Sequence, residues 1–311
     1  MASITSRSAA SRSAASRSEA SPSVSASAAS TRPTSVGSKQ DDEVSTTRFT
    51  NVQDLFNVIN CTPGDFLVVT HVSPSCFAEI ERERDKRRRK FRFRRYDSSS
   101  QTLLITIPGD LHEQLHGGIY DKFTNQLART GREDRWKSIR TATRQAQQGH
   151  PGGSEGQGDS TGGPKPERDP PGAWPTLVIE AGASESLAEL HNDMRWWFST
   201  SDHQVKIVLL VKFQRTGGVI TLEKWEEESP GPPRPGATTT CHASLQQPVL
   251  RQAINITRDP TTNPVSYNVT SGALVFGFRL LFLRDPGPGE GDFVMSVPEL
   301  EDYAKYIWTQ L

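Results

Sequence analysis

The sequence predicts an α/β fold: a mixed sheet with a βαβ crossover unit flanked by helices. Two apolar runs, Leu177–Ile179 and Val205–Val211, bracket a segment in which Leu187, Leu190, Met194 and Trp197 recur at helical spacing. Near-continuous apolar runs are the mark of strands covered on both faces. A strand, a helix and a second strand of this length close as a right-handed parallel crossover. A third observation is compositional: only 34% of the chain is hydrophobic, and the shortfall is concentrated in 1–46 and 145–172.

Those two stretches divide the 311 residues. Residues 1–46, rich in Ser, Ala and Arg, read as a disordered tail, because so few large apolar groups cannot bury a core. An Arg- and Ser-rich, acid-poor start also has the composition of a mitochondrial transit peptide, which is the alternative reading. Residues 47–311 read as a single α/β domain. Its Gly/Pro-rich segment 145–172 reads as a flexible insertion, and Pro230–Pro235 as a second break. Lysine plus arginine balance aspartate plus glutamate at 36 each, so overall charge points to no nucleic-acid partner and any such case rests on local patches. Three widely spaced cysteines exclude a disulfide framework and a metal knuckle. No apolar run approaches the roughly 20 residues of a membrane span. The expected compartment is intracellular, nuclear or cytoplasmic, with no membrane partner.

In chain order, Thr50 is expected to cap a helix to Ile59, with Val52, Leu55, Phe56 and Ile59 on its apolar face. Phe66–Val69 is a β-branched strand. A charged helix from Ser75, as cap, to Lys90 follows. From Phe91 the chain alternates apolar and basic, the period of a half-buried strand. Phe91, Phe93 and Arg95 share one face, and Arg92, Arg94 and Tyr96 the other. Asp97–Ser100 is turn chemistry leading into Leu103–Ile107, so a hairpin is expected. Asp110 should cap a helix to Arg129, with Leu111, Leu115, Ile119, Phe123 and Leu127 four apart on its core stripe. After the crossover unit, whose helix Ser184 or Glu185 can cap, Gly217-Gly218 turns into the strand Val219–Trp225. The C-terminal amphipathic helix spans Pro298–Gln310.

Several residues have chemistry beyond packing. Glu180 interrupts an apolar strand. A carboxylate there must be paired, protonated, metal-bound or at the strand's open end, because an unpaired buried charge costs several kcal/mol. An ordinary ion pair with an arginine such as Arg195 is one reading. His112 and His116 lie four apart on a helix, a spacing that can bind zinc. With no third ligand near in sequence, they read as one solvated histidine and one at the helix edge. Glu113 falls off the core stripe and reads as solvated. The run Lys86–Arg95 fits a nuclear localisation signal or a phosphate-binding strip, or else a solvated helix end and strand face.

The stretch Trp174–Leu187, then Asp193-Met194-Arg195-Trp196-Trp197, resembles a family of uncharacterised fungal proteins. So do Leu111-His112-Glu113-Gln114, the Arg95-Tyr96-Asp97 turn and Val205–Leu210. That family is itself similar to PD-(D/E)XK nuclease domains, whose core reads Pro-Asp, an apolar strand, Glu-Val, Ser, then Asp on the next helix. The likeness covers most of Tyr96–Trp225. It implies a restriction-endonuclease-like core and metal-dependent hydrolysis of DNA or RNA phosphodiesters. Mg²⁺, with Mn²⁺ as substitute, would be held by Glu180 and a loop aspartate, Asp159 before Asp169, with Glu113 as accessory acid. Gly182 stands where the pattern has its lysine, so the stabilising cation falls to Lys206 or Arg195. The alternative implied by that departure is a catalytically inactive relative that binds protein or nucleic acid.

Overall fold

The computed structural model describes residues 44–139, 143–146, 154–228 and 246–309. The tail expected over 1–46 lies almost wholly outside these residues, as does Pro230–Pro235.

Two sheets organise the fold, which is mixed α/β. The first begins with β1 (Thr46–Arg48), and α1 (Val52–Cys61) follows. The helix cap is Asn51, one residue later than expected. Its side chain accepts the Asp54 N–H, while Thr50 bonds the Asp54 carboxylate instead. Next come β2 (Phe66–Thr70) and α2 (Pro74–Lys86). The cap of α2 is Ser73, because Pro74 fits the first helical turn, where its missing N–H has no consequence. The hairpin of β3 (Arg92–Asp97) and β4 (Thr102–Thr106) closes as expected, with Asp97 accepting from the Ser99 and Ser100 N–H groups. Its alternation is corrected by a bulge between Phe93 and Arg95. The inserted residue brings Phe91, Phe93 and Tyr96 into one core and re-aims Arg94 away from it.

Helix α3 (Asp110–Arg129) starts at Gly109, not at a capping Asp110. The second sheet opens with β5 (Trp136–Ser138). Then β6 (Arg144–Gln145) and β7 (Glu155–Gly156) complete the first sheet, in order β1-β2-β4-β3-β7-β6. The second sheet continues through β8 (Ser160–Pro164) and β9 (Leu177–Gly182). Helix α4 (Leu187–Thr200) crosses over to β10 (Ile207–Gln214), which pairs with β9 in parallel. The cap of α4 is Ser186, since Ser184 and Glu185 are drawn into other contacts. The strands β11 (Val219–Glu228), β12 (Gln247–Asp259) and β13 (Ser266–Val269) extend the sheet to the order β13-β12-β11-β10-β9-β8-β5. A ribbon of β14 (Leu274–Phe276) and β15 (Phe293–Met295), the short α5 (Phe278–Phe282) and the expected α6 (Val297–Thr309) finish the chain.

The flexible insertion expected at 145–172 is corrected where the structure describes it. Residues 154–164 are buried throughout and form β7 and β8. Their glycines are there for close approach. A Cβ at Gly156 would lie 2.6 Å from the Trp196 ring, and one at Gly162 would lie 2.5 Å from Trp136 Nε1.

Three cores result. Helices α1 and α2 cover one face of the first sheet. On the second sheet, α3 and α6 cover Ile179, Ala181, Leu209 and Val211, and α4 covers Val178, Val208 and Leu210. The βαβ unit is thus a sheet layer between helical layers, which explains its double-sided apolarity. Phe123 anchors α3 at ring-centroid distances of 4.9 Å from Trp136 and 5.1 Å from Phe293. Replacing Phe123 with Ala is expected to lower unfolding free energy by about 3–5 kcal/mol in urea titration, and a loss below about 1 kcal/mol would show that this contact is not part of the core.

Candidate functional site: a buried ion cluster between the sheets

The seam between the two sheets is charged. It starts at Asp65, just before β2. Its carboxylate accepts the N–H groups of Ala183 at 3.0 Å and Ser184 at 2.8 Å, and a short bond from the Ser184 hydroxyl. Asp65 therefore ties the first sheet to the turn that leaves β9.

Asp65 also accepts from His112 Nδ1 at 2.9 Å. The other ring nitrogen, Nε2, lies 3.1 Å from Asp159 Oδ1. Both His112 and His116 are buried, which corrects the expectation of a solvated residue and an edge residue. The reason is that α3 is covered on a second side by the seam, so 112, 116 and 120 are buried as well as the apolar stripe. Burial alone would lower the His112 pKa, but Asp159 and Asp65 push it up to about 9.

Asp159 leads into β8. Its Oδ2 accepts the Ala181 N–H at 3.0 Å, and its Oδ1 lies 3.7 Å from Arg92 Nη1. Burial would raise this carboxyl. The charges of His112 and Arg94 hold it well below the usual range. Gly158, just before it, is required here: a Cβ would meet Thr161 at 2.5 Å and Trp197 at 3.1 Å.

Glu180 extends from β9 toward α4 and is fully buried. Its Oε1 accepts from Trp197 Nε1 at 2.6 Å, and its Oε2 lies 3.4 Å from Arg94 Nη2. Arg94 is the hub. Its Nη1 lies 2.7 Å from Glu185 Oε2 and donates to the Ala181 carbonyl at 3.2 Å. Its Nε donates to Asp193 Oδ2 at 2.5 Å, and Arg95 takes the other Asp193 oxygen at 2.9 Å. The bulge in β3 delivers this guanidinium across the seam. Three acids around it leave excess negative charge, and burial pushes the Glu180 and Glu185 carboxyls well above their ordinary values. The same acids raise the Arg94 pKa against the effect of its burial.

The residues singled out from sequence fall into two groups. Asp159, just before β8, lies beside the ladder of β8 with β9 that carries Glu180, and the Asp159 charge acts on Glu180. Glu113, exposed, joins them through Arg92, which bonds Glu113 directly and reaches Asp159. Lys206 and Arg195 do not join. Lys206 precedes β10 at the end paired with Leu177, and its Nζ donates to the His203 carbonyl at 2.6 Å. Arg195 is exposed on α4 and donates to Asn192 at 3.1 Å. The lysine that does lie beside position 182 is Lys212. It pairs with Gly182 in the parallel ladder, is buried, and donates to the Ala183 carbonyl at 2.8 Å. Asp169 lies beyond β8, with its carbonyl bonded by Lys137.

A side chain at 182 would be crowded, since a Cβ there would sit 3.1 Å from Glu185 Cβ and Oε2, and Glu185 would have to shift. A cleft of about 690 Å³ opens beside the carboxyl ends of β9 and β10, walled by Asp65, His112, Ser184, Lys212 and Arg215. Glu180 and Asp159 are not among its walls. Among the described residues, the group whose ligand atoms come close enough to hold a metal ion is His112, Glu113 and His116. Arg94, Glu185 and Asp65 were not singled out from sequence. The one available signal was that a buried Glu180 demands a cation. No protein-family model matches this chain, and no curated protein matches it.

Substituting Arg94 with Met is expected to cost about 3–5 kcal/mol at pH 8, because it strands buried acids. Glu180 and Glu185 already have raised pKa values, so protonation favours the folded state, and removing the arginine raises them further. The penalty should therefore shrink as pH falls from 8 toward 5.5 and grow as it rises. Urea unfolding of both proteins at the two pH values reads the difference directly.

Proposed function

We propose that this chain has a restriction-endonuclease-like core of the PD-(D/E)XK type, which binds nucleic acid and does not cleave it at the Asp159–Glu180 pair. The support for the core is positional. A helix, three antiparallel strands, a crossover helix and a parallel strand occur in chain order as α3, β5, β8, β9, α4 and β10, with β6 and β7 of the first sheet inserted between β5 and β8. An aspartate starts the second of these strands and a glutamate lies on the third, the arrangement that the resemblance implies.

The observation that carries the non-hydrolytic reading is Arg94. A catalytic Mg²⁺ needs free carboxylate oxygens facing a wet cleft where phosphate can enter. Here a guanidinium pairs with Glu180, Glu185 and Asp193 in the fully buried interior, and Asp159 is bonded to backbone and faces His112. Arginine stays protonated, so it cannot give way by losing its charge. In this reading the acids of a metal centre act as the glue of the seam.

The binding half rests on the basic strip. Arg92, Arg94 and Arg95 are spent on acids within the fold, Arg92 on Glu113 and Asp159 and the other two on Asp193. Arg87, Arg88 and Lys90 are exposed, and with Arg89 they wall a cleft of about 560 Å³ beside α1. The guanidinium groups of Arg87 and Arg89 lie 5.2 and 5.3 Å from the Phe56 ring centroid, which holds them in place. Phosphates are the chemistry that such a strip recognises.

Two outcomes are expected from the purified chain. Plasmid incubated with Mg²⁺ or Mn²⁺ should show no cleavage above that of Glu180→Gln; cleavage by the wild type and none by Glu180→Gln would restore the nuclease reading. In salt titrations of duplex DNA binding, replacing Arg87, Arg88, Arg89 and Lys90 with Ala should reduce the slope of log K against log salt by about 3–4. An unchanged slope would remove the strip as the binding surface.

A further inference from the structure

We propose that His112, His116 and Glu113 form a binding site for a first-row divalent transition-metal ion, separate from the Arg94-filled acids. Histidines four apart on one helix face present their rings to a common point. Here the ring centroids lie 5.3 Å apart, and ligand atoms of the two histidines and Glu113 all lie within 4.8 Å of one another.

The orientation of the rings is the stronger observation. A metal-ligating histidine almost always donates its other N–H to an oxygen acceptor such as a carboxylate, backbone carbonyl or water, which fixes the tautomer. Both rings have that second contact. His112 Nδ1 bonds the Asp65 carboxylate at 2.9 Å, and His116 Nδ1 bonds the Ser160 hydroxyl at 2.8 Å. Both Nε2 atoms are then left buried without a hydrogen-bond partner, although burial of such an atom has a cost. His112 Nε2 lies 3.1 Å from Asp159 Oδ1, the ion pair that raises the His112 pKa, and a bound metal would take the place of its proton. His116 Nε2 faces Glu113 Oε2 at 3.6 Å, a spacing that two ligands of one ion can share. Arg92 bonds the other oxygen of Glu113 and leaves Oε2 for the metal.

Charge balance favours a divalent ion. Asp65, Glu113 and Asp159 bring three negative charges against Arg92 and the protonated His112, and a 2+ ion that displaces the His112 proton brings the group from −1 to zero. Two imidazoles and one carboxylate suit zinc and its neighbours rather than Mg²⁺. Three protein ligands leave a fourth position for water. It opens on the side of Glu113, whose side chain is 47% exposed while both histidines are buried.

The test is Zn²⁺ titration of the full chain, freed of metal by chelation, followed by calorimetry and by thermal melting. The expected result is one tightly bound equivalent that raises the melting temperature. His116→Gln, which keeps most of the side-chain volume, should weaken binding at least 10-fold and abolish the thermal shift, and Asp65→Asn should weaken binding through His112 by about 10–100-fold. Glu180→Gln should bind as the wild type does, because its carboxylate belongs to the Arg94 cluster. Substituting Co²⁺ should give the visible bands of a low-coordinate nitrogen and oxygen site, lost in His116→Gln. No bound equivalent in the wild type, or binding unchanged in a folded His116→Gln protein, would overturn the proposal.

Discussion

The guanidinium of Arg94 is the contact on which the rest of the arrangement depends. It reaches from β3 in the first sheet to Glu180 on β9 and to Glu185 and Asp193 at α4 in the second. The apolar cores lie on either side of this seam. Apolar packing alone would hold each sheet to its own helices. Beyond the packing of Trp196 on Gly156, what fixes one sheet against the other is a set of directional bonds, and such bonds tolerate little displacement. The β3 bulge, the glycines at 156, 158 and 182, and the Asp65 bonds to the turn after β9 all serve that geometry.

The same contact decides what the acids can do. A carboxylate free to bind Mg²⁺ needs an oxygen without a protein cation and a route for phosphate. Glu180 has one oxygen on the Trp197 indole and the other beside Arg94 in a fully buried position, and Asp159 has its oxygens committed to the Ala181 N–H and to the neighbourhood of His112 and Arg92. The steric reason for Gly182 belongs to the same picture. A side chain at 182 would crowd Glu185, which pairs with Arg94. Gly182 and the Arg94 cluster thus share one structural cause, the placement of Glu185.

Much of the fold was legible. The βαβ unit, the β3–β4 hairpin and helices α3 and α6 follow from apolar periodicity, which is a local property. Helix starts moved by one or two residues where a rival cap was better placed, as with Asn51 and Ser73. The segment 154–164 was misread because glycine has two uses, freedom and close approach, and composition cannot separate them. Here the Trp136, Trp196 and Trp197 rings require the second. The demand of Glu180 for a partner was legible, but the partner was not. Arg94 and Asp193 are separated by 99 residues, and a bulge rather than simple alternation aims the arginine. His112 and His116 read as one solvated and one edge residue because the apolar stripe of α3 marks only the side that faces the large core.

The central claim is that Arg94 stays in the acid cluster when metal is offered. Nitrogen-15 NMR of arginine side chains reads this directly, because a buried guanidinium bonded to Asp193 keeps a slowly exchanging Nε–H signal. The expected result is that this signal persists, unshifted, through addition of millimolar Mg²⁺. Loss of protection or a saturable shift of the Arg94 signal with Mg²⁺ would mean that the ion displaces the guanidinium, and the arginine-locked seam would be contradicted.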